Sequence, residues 1–526
     1  MTVASATAVT DRESSLRWLA FASCVLVSLT NEVSGGALSL SFRDATVELH
    51  ASTAAMQLVM TLSKLLFGAF MLLGGVLGDS YGRRRVLVYG SAGIVVASAL
   101  AALSASAAQL AVARALDGLA NAAVGPLCLA LVMTIFPPEQ RARGVGLFLG
   151  LSALGIALGP LLAGFVVQAF GWRAGFAAPA LVAALGGIGV HLFAEETQGA
   201  ERRRLDGFGA LGVSVALLAL VFAVVGASSV GWGNPRVLQA LAVGAGALIG
   251  FIWWERRTAD PLLDLSLFRS WPLNAALLNG LLLALVLGGA ILPLLYFFQN
   301  VHGMKPVPAL LHIVPLVIAA ALFSPLAGSM LARRGARPVV LAGLALVTAG
   351  CGVLAVLRSE TPYAVILLAL VLLGAGNIAV VTAVTEIVLE SMPPERSGSA
   401  AALNNAAVQV GGALGAATLT GVFLSAARAD YFARLAPTGL TIDRIREVTK
   451  AWREAVRDSA STGAKILPEG MEQHFEAAFR AAFTVGVARV FLVAALIAVG
   501  CAVLAWFGLA RRGAAGSGRP ESSRAA

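Results

Sequence analysis

Apolar residues run along this chain in fourteen blocks, at about 17–41, 52–76, 84–104, 107–135, 143–169, 172–194, 207–229, 235–254, 272–298, 308–332, 338–357, 362–389, 398–425 and 482–510. Each block is continuously apolar, and roughly 20 such residues are what a helix needs to cross the hydrocarbon core of a bilayer. Backbone groups in lipid require internal partners, so unbroken apolar runs predict helices, whereas barrel strands would alternate. The pattern therefore predicts an all-α polytopic membrane protein with fourteen transmembrane helices, spans 1–14. The longest polar interval between spans, Ala426 to Ala481, contains DRIREVTKAWREAVRD, where Ile445, Val448, Trp452 and Val456 recur at three- or four-residue spacing. That spacing suits an amphipathic helix on the membrane surface or over the outer mouth, and equally a solvated connector.

Composition narrows the class further. Of 526 residues, 58% are hydrophobic and 13% charged, too little polar surface for a soluble globule of this size. A net charge of +10 raises the question of nucleic acid, but the basic residues are scattered between apolar blocks instead of forming a patch. They read as topology. With a cytoplasmic N-terminus, the inner side carries Arg12, Arg17, Arg83 to Arg85, Arg141, Arg143, Arg202 to Arg204, Arg256, Arg257, Arg269, Arg333, Arg334, Arg337, Arg396 and the four arginines from Arg511 on. The short outer loops hold only Arg43, Arg173, Arg236, Lys305 and Arg358, so both termini are expected inside. The first fifteen residues lack a basic start before an apolar run, and span 1 is expected to act as the insertion signal. Cys24, Cys128, Cys351 and Cys501 each fall within a span without a CxxC pair, and the five histidines stand apart from carboxylate or cysteine clusters. Neither a metal site, a disulfide framework nor a catalytic triad is indicated, and no enzyme is expected.

The chain also repeats itself. GGVLGDSYGRRRVLV, Gly74 to Val88, has a weaker copy in GSMLARRGARPVV, Gly328 to Val340, so that Gly75, Gly82 and Arg84 correspond to Gly328, Gly335 and Arg337. FPPEQRARG around Pro137 recurs as MPPERSGSA around Pro393, and GIALGPLLAG from Gly155 as GGALGAATLTG from Gly411. Such near-constant offsets indicate internal duplication. They predict a cytoplasmic segment 1–16, a six-helix half 17–195, two inserted helices with linkers over 196–269, and a second half 270–510 with its outer loop 426–481. The Gly-, Ser- and Arg-rich tail 511–526 is expected to be disordered.

These residues resemble the major facilitator superfamily, and within it the fourteen-helix drug:proton antiporters. The resemblance covers nearly the whole chain and implies two pseudo-twofold halves in a 6+2+6 arrangement. Gly75, Leu77, Asp79, Gly82, Arg83 and Arg84 match the superfamily's loop between spans 2 and 3, implying a gating element; Ala332 replaces the Asp in the copy. In span 4, ARALDGLANA places Arg114 and Gly118 on a motif whose arginine is linked to proton transfer. Asp117 departs from that motif, which has an uncharged amide there. Gly155, Gly159, Pro160 and Gly164 match the antiporter signature of span 5, where proline bends a helix and glycines admit a close neighbour. GWRAGF, LDGFGALG, WWERRTADPLLDLSLF and FFQNVHG fit the same family.

Span 1 matches less well. The family places an Asp before a run ending Ala-Leu-Pro; setting Ala37, Leu38 and Ser39 on that ending puts Thr30 at the acidic position, and Glu32 is the nearest carboxylate. Lys64, in the middle of span 2, is unusual for the family and is expected to pair with Glu32 or Asp117. Intramembrane ionisable groups generally mark a pathway, which makes Glu32, Lys64, Arg114 and Asp117 the candidate substrate and proton-coupling residues. In this reading Glu32 and Asp117 exchange protons for substrate charge, Arg114 tunes them, and Lys64 limits net negative charge. Glu386, near the inner end of span 12, is expected to be interfacial.

The resemblance implies proton-driven export of a small lipophilic or cationic compound from the inner membrane by alternating access, with the proton gradient as energy source and no cofactor. Substrate, protons and bilayer are the expected partners; periplasmic or outer-membrane partners stay open. An anionic or zwitterionic cargo, held by Lys64 and Arg114, is the alternative, and a non-transporting sensor or scaffold is a third reading.

Overall fold

The computed structural model describes residues 3–51, 53–137, 140–197, 206–231, 233–258, 265–304, 306–392, 397–436 and 472–509. Regular structure among them is helical: α1 (Val3–Glu48), α2 (Thr53–Tyr81), α3 (Arg83–Ala102), α4 (Ala107–Ile135), α5 (Arg141–Phe170), the single turn α6 (Trp172–Gly175), α7 (Ala177–Phe193), α8 (Gly207–Val230), α9 (Pro235–Glu255), α10 (Trp271–Asn300), α11 (Pro306–Arg334), α12 (Ala336–Ala355), α13 (Tyr363–Glu390), α14 (Ser397–Leu435) and α15 (Glu472–Gly508). Thirteen stretches of the described residues are long and apolar enough to cross a membrane. The expected span 143–169 falls on α5, an unbroken helix of 30 residues.

Local chemistry sets the boundaries. Ser106 accepts a hydrogen bond from Gln109 N to open α4, and Asp206 accepts one from Gly209 N to open α8. Asn234 caps α9, with Pro235 in the first position, where a missing N–H costs nothing. The tight α2–α3 turn runs through Gly82 at φ 104°, a left-handed conformation that disfavours any side chain.

The two bundles repeat one packing scheme. In the first, α2 packs on α4, α1 on α5 and α7, and α3 on α4 and α7; in the second, α11 packs on α13, α10 on α14 and α15, and α12 on α13 and α15. The bundles meet where α5 packs on α11 and α2 on α14. α8 and α9 pair with each other, and α8 leans on both α2 and α14, covering one flank of the junction between bundles. Because the helices alternate in direction, the turns near Gly82, Gln140, Arg256, Gly335 and Ser391 share one end of the molecule with Leu509. We call this the arginine-rich end.

α14 and α15 extend beyond their apolar blocks. Residues 426–435 and 472–481, expected in a polar outer segment, continue the two helices, because Tyr431, Leu435, Phe475 and Ala478 bury one another. The amphipathic pattern of Ile445 to Val456 and the tail 511–526 lie outside the described residues.

At the end opposite the arginines, Trp172 Nε1 donates to Glu48 Oε2 at 2.5 Å, and Arg173 pairs with Glu48 while donating to the Ser104 carbonyl at 3.1 Å. This ties α1 and α3 to the start of α6. The hydrogen bonds from Trp172 and Arg173 hold the Glu48 carboxyl below its ordinary range. A carboxylate depressed on folding contributes stability above its unfolded pKa of about 4, and that contribution is lost as pH falls through the lower folded value. Melting curves from neutral pH downward should therefore show an acid-side loss in the parent protein that is smaller in Glu48→Gln; superimposable profiles would mean the contact carries no linkage.

Candidate transport site and gate

Midway along the helices, α1, α2, α4 and α5 together with α14 enclose a cavity of about 250 Å³. Its polar lining is Glu32 with Ser28, Asn31, Asn121, Ser152, Asn405 and Gln409, and its apolar walls include Phe67, Met71 and Phe148. Among the described residues, Glu32 is the one charged side chain in that lining. It is half-buried, and Oε1 accepts from Asn31 Nδ2 at 2.9 Å.

The glycine-rich signature of α5 forms the bed on which Glu32 sits. A Cβ at Gly159 would lie 2.6 Å from the Glu32 carbonyl carbon, and one at Gly155 would lie 3.4 Å from Glu32 Cγ. On the facing helix, a Cβ at Gly36 would stand 2.6 Å from Pro160 Cα, while Gly164 meets Leu40 one turn on. Backbone-to-backbone approach along α1 and α5 thus fixes how far Glu32 reaches into the cavity. Gly159→Val should push the two helices apart, cost about 1–3 kcal/mol through overpacking, and impair transport. Gly246→Ala, in open space on α9, is the control and should be silent; equal thermal stability and transport for both variants would refute this role of the seam.

Beside the cavity lies a second, buried cluster. Asp117 Oδ2 accepts from Arg114 Nη1 at 2.8 Å, Ser63 Oγ at 2.8 Å and Ser34 Oγ at 3.2 Å, and Oδ1 accepts from Asn121 Nδ2 at 3.2 Å. Arg114 and Asp117 are each only 3% exposed, so this is a desolvated ion pair with its carboxylate fully supplied with donors. Thr30 Oγ1 donates to Asn121 Oδ1 at 3.2 Å. Asn121 therefore touches both the cavity and the ion pair.

The structure thus brings Arg114 and Asp117 together and sets Glu32 in the adjoining cavity. Lys64 departs from its expected pairing: it is exposed, and its ammonium forms no ion pair with Glu32 or Asp117 among the described residues. Asp117 already has Arg114 as its countercharge, and the neighbouring Ser63 faces α4 in place of the lysine. Lys64 instead shares a side of α2 with Gly68, one turn away, which faces Gln409 of α14. Glu386 lies far along α13 toward the arginine-rich end, away from the cavity lining.

The turn between α2 and α3 is tied to the second bundle. Arg83 Nε and Nη2 donate to Asp79 Oδ1 at 3.0 and 2.9 Å, while Oδ2 accepts from Ser399 N and Oγ at 2.9 and 3.0 Å. Ser399 lies in the first turn of α14, where free N–H groups and the helix dipole favour a carboxylate. Glu196 completes the loop by accepting from the backbone N–H of Arg84 and Arg85, filling the space beside Gly82. Gly75 is buried within α2, and Arg84 Nη1 donates to the Ala194 carbonyl at 3.2 Å. A further tie between bundles joins Ser324 Oγ to the Gly146 carbonyl, where Gly328 also packs on Ala142. In the repeated loop, Ala332 and Gly335 are exposed, so that copy makes no corresponding bridge through its residue 332.

Ser34, Ser63, Asn121, Asn405, Gln409, Glu196 and Ser399 were not singled out from the sequence. Amides within apolar blocks, such as LNNAAVQV in α14, were the available signal for the cavity.

Known proteins agree with this architecture. The chain is 31% identical over 466 residues to the Tetracenomycin C resistance and export protein of Streptomyces glaucescens, covering 88% of this chain and 86% of that protein. It is 29% identical over 504 residues to the multidrug efflux pump LfrA of Mycolicibacterium smegmatis, covering 94% and 97%. Among solved structures, the human organic anion transporter MFSD10 superposes with a TM-score of 0.58 at 16% identity, covering 92% of this chain and 99% of that one, which speaks to the fold. Because the match to the Major Facilitator Superfamily extends over residues 20–416, from α1 into α14, the chain belongs to that superfamily of membrane transporters.

Proposed function

We propose that this protein is a proton-driven exporter of small lipophilic cations, working by alternating access with its arginine-rich end and both termini in the cytoplasm. The observation that carries this reading is the cavity's charge: one carboxylate, several amides and aromatic walls, with no basic side chain among the described residues of its lining. A carboxylate flanked by aromatic faces attracts an organic cation. The same chemistry disfavours an anionic cargo, since Arg114 is committed to Asp117 and Lys64 lies outside the lining. The names of the relatives, a resistance and export protein and a multidrug efflux pump, fit the same direction of transport.

Antiport follows from competition. A proton and a cation cannot both neutralise Glu32, so loading one expels the other. The Asp79–Ser399 and Ser324–Gly146 bonds, both near the arginine-rich end, hold the cytoplasmic side shut, which corresponds to the state that releases cargo outward and takes up a proton. At about 250 Å³ the cavity is smaller than usual drug sites of about 300–1,000 Å³, so loading requires it to widen as the gate opens. Asn121 joins Glu32's cavity to the Arg114–Asp117 pair, giving the buried cluster a positioning role and Glu32 the exchanging one.

Proteoliposomes preloaded with ethidium and given a pH gradient provide the test. Glu32→Gln should lose gradient-driven efflux, while Asp117→Asn, if it folds, should slow transport yet keep its pH dependence. Normal pH dependence in Glu32→Gln would overturn the assignment.

A further inference from the structure

The cavity around Glu32 continues toward the end of the molecule opposite the arginines. On α1 the lining residues Ser28, Asn31 and Glu32 share one helical face with Gly35, and on α14 the lining residues Asn405, Val408 and Gln409 share one with Gly412. A Cβ at Gly35 or at Gly412 would meet no atom within 4 Å, so one turn beyond the lining both helices look into open space. The third side of that opening is α2. Lys64 lies three residues before Phe67 and seven before Met71, both of which line the cavity, and Gly68, one turn on, faces Gln409. Seven residues make about two turns, so Lys64 stands on the face that carries Met71, roughly 5–10 Å nearer the open end. Its side chain is exposed and has neither a hydrogen bond nor an ion pair among the described residues.

Size brings the cargo to this charge. The cavity holds about 250 Å³, and the Asp79–Ser399 and Ser324–Gly146 bonds join the bundles on its other side. Whatever part of a larger compound exceeds the cavity therefore extends past Lys64. A neutral or apolar extension passes an ammonium at little cost, whereas a second cation meets like charge. At an effective dielectric constant of about 20, two unit charges about 10 Å apart repel strongly enough to lower affinity about tenfold.

We propose, on the reading that Glu32 binds the exported cation, that Lys64 determines how much charge the cargo carries. Compounds with one positive charge are accepted, and those with a second cation a few bonds from the first are excluded. Glu32 holds the first charge in the cavity, and the Lys64 ammonium repels the second at its open end. Lys64 thus acts on specificity without touching the exchanging carboxylate.

Ethidium and propidium provide the test, because they share one aromatic cation and propidium adds a quaternary ammonium on a short alkyl arm. Equilibrium binding of each dye to the detergent-purified full chain is followed by fluorescence polarisation. The parent protein should favour ethidium about tenfold or more. Lys64→Met keeps the length of the side chain without its charge, and should tighten propidium about tenfold more than ethidium, erasing the preference; Lys64→Arg should retain it. In the unaltered protein the preference should weaken at about 1 M salt, where the screening length falls to about 3 Å. A preference that survives in Lys64→Met, or that ignores salt in the parent, is one of shape and overturns the proposal. A parent that binds the two dyes alike, while Glu32→Gln loses ethidium, overturns it too and leaves the cation site standing. If Glu32→Gln binds ethidium as well as the parent does, the cation site itself is misplaced and the role of Lys64 falls with it.

Discussion

Asp117→Leu should be the most damaging single substitution in the first bundle, lowering stability by about 3–5 kcal/mol, because it strands the Arg114 guanidinium without its buried countercharge. Arg114 is 3% exposed, and Asp117 Oδ2 is its carboxylate partner at 2.8 Å. Ser34 Oγ then stays as an acceptor for Arg114 Nη1, but a hydroxyl cannot neutralise it. The double variant Arg114→Leu/Asp117→Leu removes both charges, and should recover much of the loss, since replacing a buried pair by apolar groups is often close to neutral. Thermal unfolding of the detergent-purified proteins measures both. A double variant no more stable than Asp117→Leu alone would show that the pair is not the unit that matters here. The same double variant separates structure from transport: if Glu32 is the exchanging group, its efflux should be slower but still driven by a pH gradient.

The second large effect belongs to the contact between bundles at Asp79, the proposed gate. Asp79→Ala removes one carboxylate that serves Arg83 on its own bundle and Ser399 on the other. Each hydrogen bond to a charged group is worth about 1.5–3 kcal/mol, so losing even one across the junction should shift the gate equilibrium roughly ten- to a hundredfold toward the open state. Tyr81 and Ala332 are exposed at the same end of opposite bundles, and spin labels at Tyr81→Cys and Ala332→Cys report that opening as a longer distance population. Transport should fall with it, because the proposed cycle passes through the state in which this end is shut, and the substitution depopulates that state. An unchanged distance distribution would mean that Ser324 and Gly146 close the junction without Asp79.

Much of this was readable from residues alone, for identifiable reasons. Continuous apolar blocks leave the backbone no choice but helix, so α1 to α15 lie close to the fourteen expected spans. The α2–α3 turn was legible because Gly82 needs a conformation that other residues avoid, and because Asp79 and the arginines that follow it are close in sequence. Asp79's partner was not, since Ser399 lies more than three hundred residues away. Arg114 and Asp117 sit three apart on one helix and therefore share a face, which local periodicity can show. The pairing expected of Lys64 failed for the opposite reason: its depth in an apolar block suggested a partner, but the direction of its side of α2 depends on where α4 and α14 stand. The extension of α14 and α15 past their apolar blocks was hidden because Tyr431, Leu435 and Phe475 stabilise each other only when the two helices meet.

By itself, the sequence determined the membrane class, the helical spans, the duplication and the loop and glycine signatures, because hydropathy, backbone conformation and short-range spacing are local properties. Only the tertiary structure decided which charges meet. It set Glu32 in a cavity against the α5 glycines, sealed Asp117 with Arg114, left Lys64 exposed, and aimed Asp79 at the first turn of α14. Burial and electrostatic partnership depend on how distant helices pack, and no single helix carries that information.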